Sequence, residues 1–338
     1  MPSWGEVAVE INNMPPPPPG LSNLDLVRRK YLATVHALTG RAVISYATRW
    51  TVSSPSAVPP AALSISSGDV PAFMEAVHGI AGDKLDLIIH SPGGSAEAAD
   101  AIVCYLRSKF NHIRVFVPHM AMSAATMICC AADEVVMGKH SFIGPIDPQI
   151  TLQTGMGLRQ VAAQAIIDQF EQAVKECNDP AKVRAWLPML QQYGPDLLIT
   201  CANASKLSRS LVENWLEKYM FAGEANAKQK AASISTWMAD HNQFNTHGKP
   251  ISCDEARAHG MNVGDLESDQ PLQDAILSCH HAFSHTFANA PQVTKIVENH
   301  LGKAFIEQTQ MPGLSLPFPF PMAPGSSPKV LHLPVGTS

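Results

Sequence analysis

The sequence predicts an α/β fold in which parallel strands alternate with helices, and three observations carry that expectation. Leu85, Leu87, Ile88 and Ile89 form an apolar run of strand length that stops sharply at Pro92-Gly93-Gly94. Ile113, Val115, Phe116 and Val117 form a second such run, which passes through Pro118-His119-Met120 into an alanine-rich helix opening at Ser123. The rhythm of strand, turn, helix, strand, turn, helix, strand then continues to residues 134–137. Two adjacent parallel strands bring both turns to one carboxyl edge, where open α/β sheets place their sites.

In chain order, residues 1–20 read as a short arm ending in Pro15 to Pro19, a polyproline II spacer able to pack on a neighbour. Leu24, Val27, Tyr31, Leu32, Val35 and Leu38 recur at helical spacing, with Gly40 where a helix-terminating glycine belongs. Residues 42–47 predict a first strand, 53–60 a Pro/Ser loop and 70–80 a helix. After the Ser123 helix come a short strand at 134–137 and an irregular segment at 141–149 returning to the same edge. From Leu158 the pattern predicts helices throughout. One carries Val161, Ile166, Phe170 and Val174; the next carries Val183, Trp186, Leu187 and Leu190, with Pro180 at its start and Pro188 as a kink. Residues 197–219 and 225–238 predict an amphipathic pair. Asp254 and Glu255 open a helix, 262–266 is a short strand, and 272–287 and 293–305 are predicted helices. The Pro/Gly/Ser-rich stretch 311–338 predicts an unfolded tail. These boundaries give an arm (1–20), an α/β core (21–157), a helical insertion (158–245), a completing segment (246–310) and the tail.

The two turns have distinctive chemistry. Successive glycines leave backbone N–H groups uncovered, and Ser95 with Glu97 suits the start of the following helix. Free N–H groups beside a helix N-terminus form an oxyanion site. Ser123 lies in Ala121-Met122-Ser123-Ala124-Ala125, where small residues two positions either side meet the steric demand that hydrolases meet with G-x-S-x-G. Each turn alone reads more readily as an ordinary strand-to-helix turn with an N-cap. Together, they set Gly93 and Gly94 facing Ser123, with the N–H of Ala124 available to an oxyanion.

The stretches HSPGGSAEAADAIVCYLRSKF, AMSAATM and DEVVMGKHSFIGPIDPQ resemble the serine dehydrogenase proteinase family, a branch of the Clp-fold serine peptidases related to signal peptide peptidase A. The resemblance runs from Trp4, through the segment His247-Gly248-Lys249-Pro250-Ile251-Ser252, to about Gln308. It implies a Clp/crotonase-like fold of repeated ββα units with a large helical insertion. The implied activity is that of a serine endopeptidase in which Ser123 is the nucleophile and Gly93, Gly94 and Ala124 supply the oxyanion hole. Clp protease takes its base from a histidine just after the strand that follows the nucleophile helix; the corresponding residues here, Ile146 and Asp147, include none. Signal peptide peptidases use a lysine, which must be desolvated to act as a neutral base. Lys182, following Asn178-Asp179-Pro180, is the leading candidate and Lys175 the alternative. Clp-fold relatives close into rings, which implies a homo-oligomer. Two other readings remain open: a catalytically inactive scaffold, and a crotonase-type enzyme that uses the same oxyanion geometry on acyl-CoA without a serine nucleophile.

Composition narrows the classes. Over 338 residues, 46% are apolar and only 16% charged, enough for a sizeable core and a thin charge cover that suits buried subunit contacts. A net charge of −5 without a basic run argues against nucleic acid as a partner. Seven cysteines without a C-x-x-C motif suit free thiols in a reducing cytoplasm. The N-terminus lacks a signal-peptide pattern, and no apolar run reaches the ~18 residues of a membrane span. His281 and His285 have i, i+4 spacing but no carboxylate between them, so the pattern calls for no metal and no cofactor.

Overall fold

The chain enters through α1 (Trp4–Asn13) and α2 (Asn23–Thr39). The computed structural model describes residues 3–53, 58–154 and 157–309; the predicted tail and the middle of the 53–60 loop lie outside them. Within the N-terminal arm, α1 is a helix that the sequence reading did not assign. Ser3 and Glu6 close a capping box, and Val7 packs against Val27 and Ala282 of the same chain. Helix α2 begins at a second capping box, Ser22 with Asp25, and ends where Gly40 (φ 65°) donates its N–H to the His36 carbonyl.

The alternating core follows: β1 (Ala42–Thr48), α3 (Asp69–Val77), β2 (Lys84–His90), α4 (Ala96–Arg107), β3 (His112–Val117), β4 (Met120–Ala121), α5 (Ala124–Cys130), β5 (Glu134–Met137) and β6 (Phe142–Ile143). A hairpin, β7 (Gln149–Thr154) with β8 (Gly157–Ala162), leads to α6 (Ala163–Glu176), α7 (Pro180–Leu190), α8 (Leu197–Trp215) and α9 (Ala227–Ala239). The short α10 (His241–Phe244), β9 (Ile251–Ser252), α11 (Cys253–Ala258), β10 (Val263–Asp265), α12 (Gln270–Asn289), β11 (Val293–Asn299) and β12 (Ala304–Gln308) complete the described chain.

The main sheet of the described residues runs β10-β5-β3-β2-β1-β11-β12. β10, β5, β3, β2 and β1 are parallel, and the β11–β12 hairpin adds antiparallel to β1. Side chains of α3, α4, α5 and α8 cover one face and those of α2 and α12 the other, so the central strands are apolar on both faces. Here the structure corrects the sequence twice. Residues 157–162 pair as a strand before the helices begin, and 293–305 form β11 and the start of β12, not a helix. β11 is buried along its whole length because its charged residues find partners inside: Lys295 with Asp69 at 3.0 Å, and Glu298 with Arg28 at 2.7 Å.

A smaller sheet, β4-β6-β9, sits at the carboxyl edge. β4 and β6 are parallel, β6 and β9 antiparallel, with Met120, Phe142 and Ser252 in register, as are Ala121, Ile143 and Ile251. Among the described residues no helix is long and apolar enough to cross a membrane.

Candidate active site

Ser123 has φ 53° and ψ −122°, a conformation that an L-residue adopts only under constraint. Its side chain makes no capping hydrogen bond, which removes the ordinary N-cap reading. The constraint comes from both sides. Before the serine, β4 is held by β6 and by a bridge to Ser91, whose N–H donates to Met120 O (3.2 Å) and whose carbonyl accepts from Met122 N–H (3.0 Å). After it, Ala125 N–H returns to Met122 O (2.9 Å) and Met127 N–H to Ser123 O (3.0 Å), closing the first turn of α5. Ala121, Ala124 and Ala125 are buried, so the turn leaves no space for larger side chains. Ser123 itself stays half-exposed.

The Gly93-Gly94 turn lies directly against this elbow. A Cβ on Gly93 (φ 94°) would fall 2.6 Å from Ser123 Cβ and 2.8 Å from Ala124 N. One on Gly94 would fall 2.5 Å from Ile65 N, because Ile65 clamps the turn: its N–H donates to Gly93 O (2.7 Å) and its carbonyl accepts from Ser95 N–H (2.9 Å). Gly93 N–H is already given to the Ser91 hydroxyl at 3.1 Å. Among the described residues, the N–H groups of Gly94 and Ala124 have no protein acceptor. Ala124 N–H directly follows the serine, Gly94 N–H belongs to the turn packed against it, and Gly93 contributes close approach in place of a third donor. A buried polar group supports the turn from behind. Asp69 accepts from Tyr46 OH (3.0 Å), Ser66 N–H (2.8 Å) and Lys295 Nζ (3.0 Å), and Ser66 is the neighbour of Ile65.

The segment after β6 passes the elbow on its other side. A Cβ on Gly144 would lie 2.5 Å from Met122 Cε and 3.6 Å from Met122 Cα, and Gly144 N–H donates to Thr126 Oγ1 at 2.9 Å. Three residues on, Asp147 is 2% exposed and carries two histidines that the sequence did not single out as site residues. His247 Nδ1 lies 2.7 Å from Oδ1, and His241 Nδ1 lies 2.9 Å from Oδ2, which also accepts from Gln149 Nε2 at 3.0 Å. Asp147 also lines a cleft of about 450 Å³ with Pro148, Gln164, Lys206, Arg209 and Asp240. A second histidine group lies at the opposite face of the edge. His90, which ends β2, stacks on His119 (5.5 Å between ring centroids) and meets His280 edge-on (4.9 Å). Burial, and then the neighbouring His119, hold His90 down at about 3.

Lys175 is exposed, and Lys182 is 52% exposed with Glu176 at 3.8 Å. Both side chains reach into solvent, so the desolvation that a lysine base needs is not met at either position in the protomer. His285, one of the i, i+4 pair, is used structurally: its Nε2 lies 2.8 Å from the Trp4 carbonyl.

The family described as ClpP-like SDH-type serine proteinases matches this chain over residues 65–272, which includes both turns, Asp147, His241 and His247. Two uncharacterized proteins of Methanocaldococcus jannaschii are similar to it. One is 30% identical over 200 residues, covering 59% of this chain and 60% of the relative. The other is 29% identical over 182 residues, covering 53% and 51%. The chain thus spans between half and three-fifths of the length of these curated relatives. Among solved structures, a membrane-bound stomatin-specific protease, in a serine-to-alanine mutant form, is similar with a TM-score of 0.35 and 11% identity, covering 60% of this chain and 74% of that one.

Proposed function

Because the chain belongs to the ClpP-like SDH-type serine proteinases, we propose that it is a serine endopeptidase acting on protein or peptide substrates through Ser123. The observation that carries this reading is the strained elbow at Ser123 set against Gly93, with unpaired N–H groups on Gly94 and Ala124. In the proposed reaction Ser123 Oγ attacks the scissile carbonyl carbon. The carbonyl electron pair moves to oxygen, where Gly94 and Ala124 N–H groups and the α5 terminus stabilise it. Collapse re-forms the carbonyl and expels the amine, leaving an acyl-enzyme that water hydrolyses. Removing one such donor costs on the order of 100-fold or more in rate, so the two N–H groups are a principal source of catalysis.

A fluorophosphonate probe read out by peptide mass spectrometry tests the assignment. An adduct on Ser123, lost in Ser123→Ala with fold and assembly retained, is the expected result. A folded wild-type sample that takes no label would point instead to an inactive scaffold, and a thermal shift with coenzyme A to acyl-CoA chemistry. The exposed apolar side chains Leu158, Val174, Leu187 and Ile199 on the hairpin and the following helices support a homo-oligomer, measurable by light scattering. Free cysteines support a reducing, cytoplasmic setting.

A further inference from the structure

We infer that His247 is the general base for Ser123 and that Asp147 positions it, so that the histidine missing after the nucleophile helix is delivered from a distant part of the chain. This inference rests on Ser123 being the nucleophile. The three residues leave the same end of the β4-β6-β9 patch. Ser123 is two residues beyond Ala121, Asp147 four beyond Ile143, and His247 four before Ile251, and those three reference positions are paired across the patch. Parallel pairing carries β4 and β6 forward together, and antiparallel pairing brings the chain before β9 back alongside. Gly144 against Met122 shows the first pair still adjacent one residue past the register, and the 2.7 Å bond from His247 to Asp147 shows the second still adjacent four residues past it.

The hydrogen bonding sets the tautomer. An ionised Asp147 can only accept, so His247 donates through Nδ1–H and its Nε2 is left as the basic nitrogen. As Ser123 Oγ bonds to the carbonyl carbon, its proton passes to His247 Nε2. When the carbon–nitrogen bond breaks, the imidazolium returns that proton to the leaving amine, and water repeats the cycle with the acyl-enzyme. Asp147 remains ionised throughout and holds the ring. The second oxygen of Asp147 is occupied by His241 and Gln149, which fixes the carboxylate plane. His247 is the better placed of the two imidazoles because its chain runs directly into β9, whereas His241 opens α10 after α9. The charged side chains that line the cleft beside Asp147 are Lys206, Arg209 and Asp240.

The test is the second-order rate of fluorophosphonate labelling of Ser123 in the full chain, measured across pH. His247→Gln should slow labelling on the order of 100-fold or more while circular dichroism and assembly stay unchanged. Lys175→Ala and Lys182→Ala, both on exposed positions of the helical insertion, should stay within about threefold of wild type, and His241→Gln, which removes one support of the Asp147 carboxylate, should lose far less than His247→Gln. Asp147→Asn should slow labelling and move its pH midpoint downward, since loss of the carboxylate charge makes the imidazolium easier to deprotonate. Free imidazole should restore part of the rate to His247→Ala, which a structural role would not allow. If His247→Gln labels at the wild-type rate, or if His241→Gln or either lysine variant carries the loss, the base assignment is overturned while the serine stands. A folded wild-type protein that does not label at all removes both.

Discussion

Acid should weaken this protein through His90, by an amount that follows from its surroundings. The ring is 4% exposed, its Nδ1 is 3.1 Å from the Met120 carbonyl, and the Thr51 hydroxyl is 3.0 Å from Nε2, so the neutral imidazole is fully satisfied. A proton added at Nε2 would place a cation among His119 and His280, with no carboxylate against it among the described contacts. The native value near 3 lies below the ~6.5 of an unfolded histidine, so the unfolded state binds the proton first. Stability from this group is therefore complete above about pH 6.5 and is lost as pH falls toward the native value. Between pH 7 and pH 5 the loss is about 2 kcal/mol. Any native value below about 4 gives nearly the same figure, because at pH 5 the folded state still binds almost no proton. Urea unfolding of wild type and His90→Gln at both pH values isolates the effect. The variant is expected to be less stable at pH 7, and the gap between the two should shrink by about 2 kcal/mol at pH 5. Equal losses in both proteins would refute the reasoning.

Ser123→Gly should raise stability by about 1–2 kcal/mol in chemical denaturation while abolishing labelling, since glycine adopts φ 53° without strain. Gly93→Ala should lose about 2–4 kcal/mol and all reaction at Ser123, because the new methyl would meet Ser123 Cβ and Ala124 N at contact distances no side chain tolerates; a variant with wild-type melting and labelling would show the two turns to be further apart. Asp69→Asn leaves Lys295 buried with only Glu307, at 3.2 Å, as an acidic partner, and should cost about 3 kcal/mol by differential scanning calorimetry. An unchanged melting temperature in that variant would show that water reaches Lys295.

How far the sequence could be read depended on whether the signal was local. Both turns at the carboxyl edge were legible because glycine pairs and small residues around a serine mark backbone demands at the positions where they occur. β11 was misread because Val293, Ile296 and Val297 have helical spacing. Lys295 and Glu298 carry no local sign of burial, and only the folded structure supplies Asp69 and Arg28 as their buried partners. Helix α1 was hidden by its short length beside the proline run; its stability comes from Val27 and Ala282, far along the chain. The β7–β8 hairpin was partly absorbed into the helices because Leu158 and Val161 continue the apolar spacing of α6. His241 and His247 carry no local mark, since nothing near them in sequence reveals an aspartate some hundred residues upstream.

The β4-β6-β9 patch also imposes an order on biosynthesis. Ser123 and its glycine turn emerge from the ribosome well before Ile251 and Ser252, yet β6 has its antiparallel neighbour only after those residues appear. A nascent or prematurely terminated chain therefore holds a serine beside which the Asp147–His247 pair has not yet been assembled. On the base proposed above, such incomplete copies would lack the group that activates Ser123, and reactivity would follow completion of the β4-β6-β9 patch.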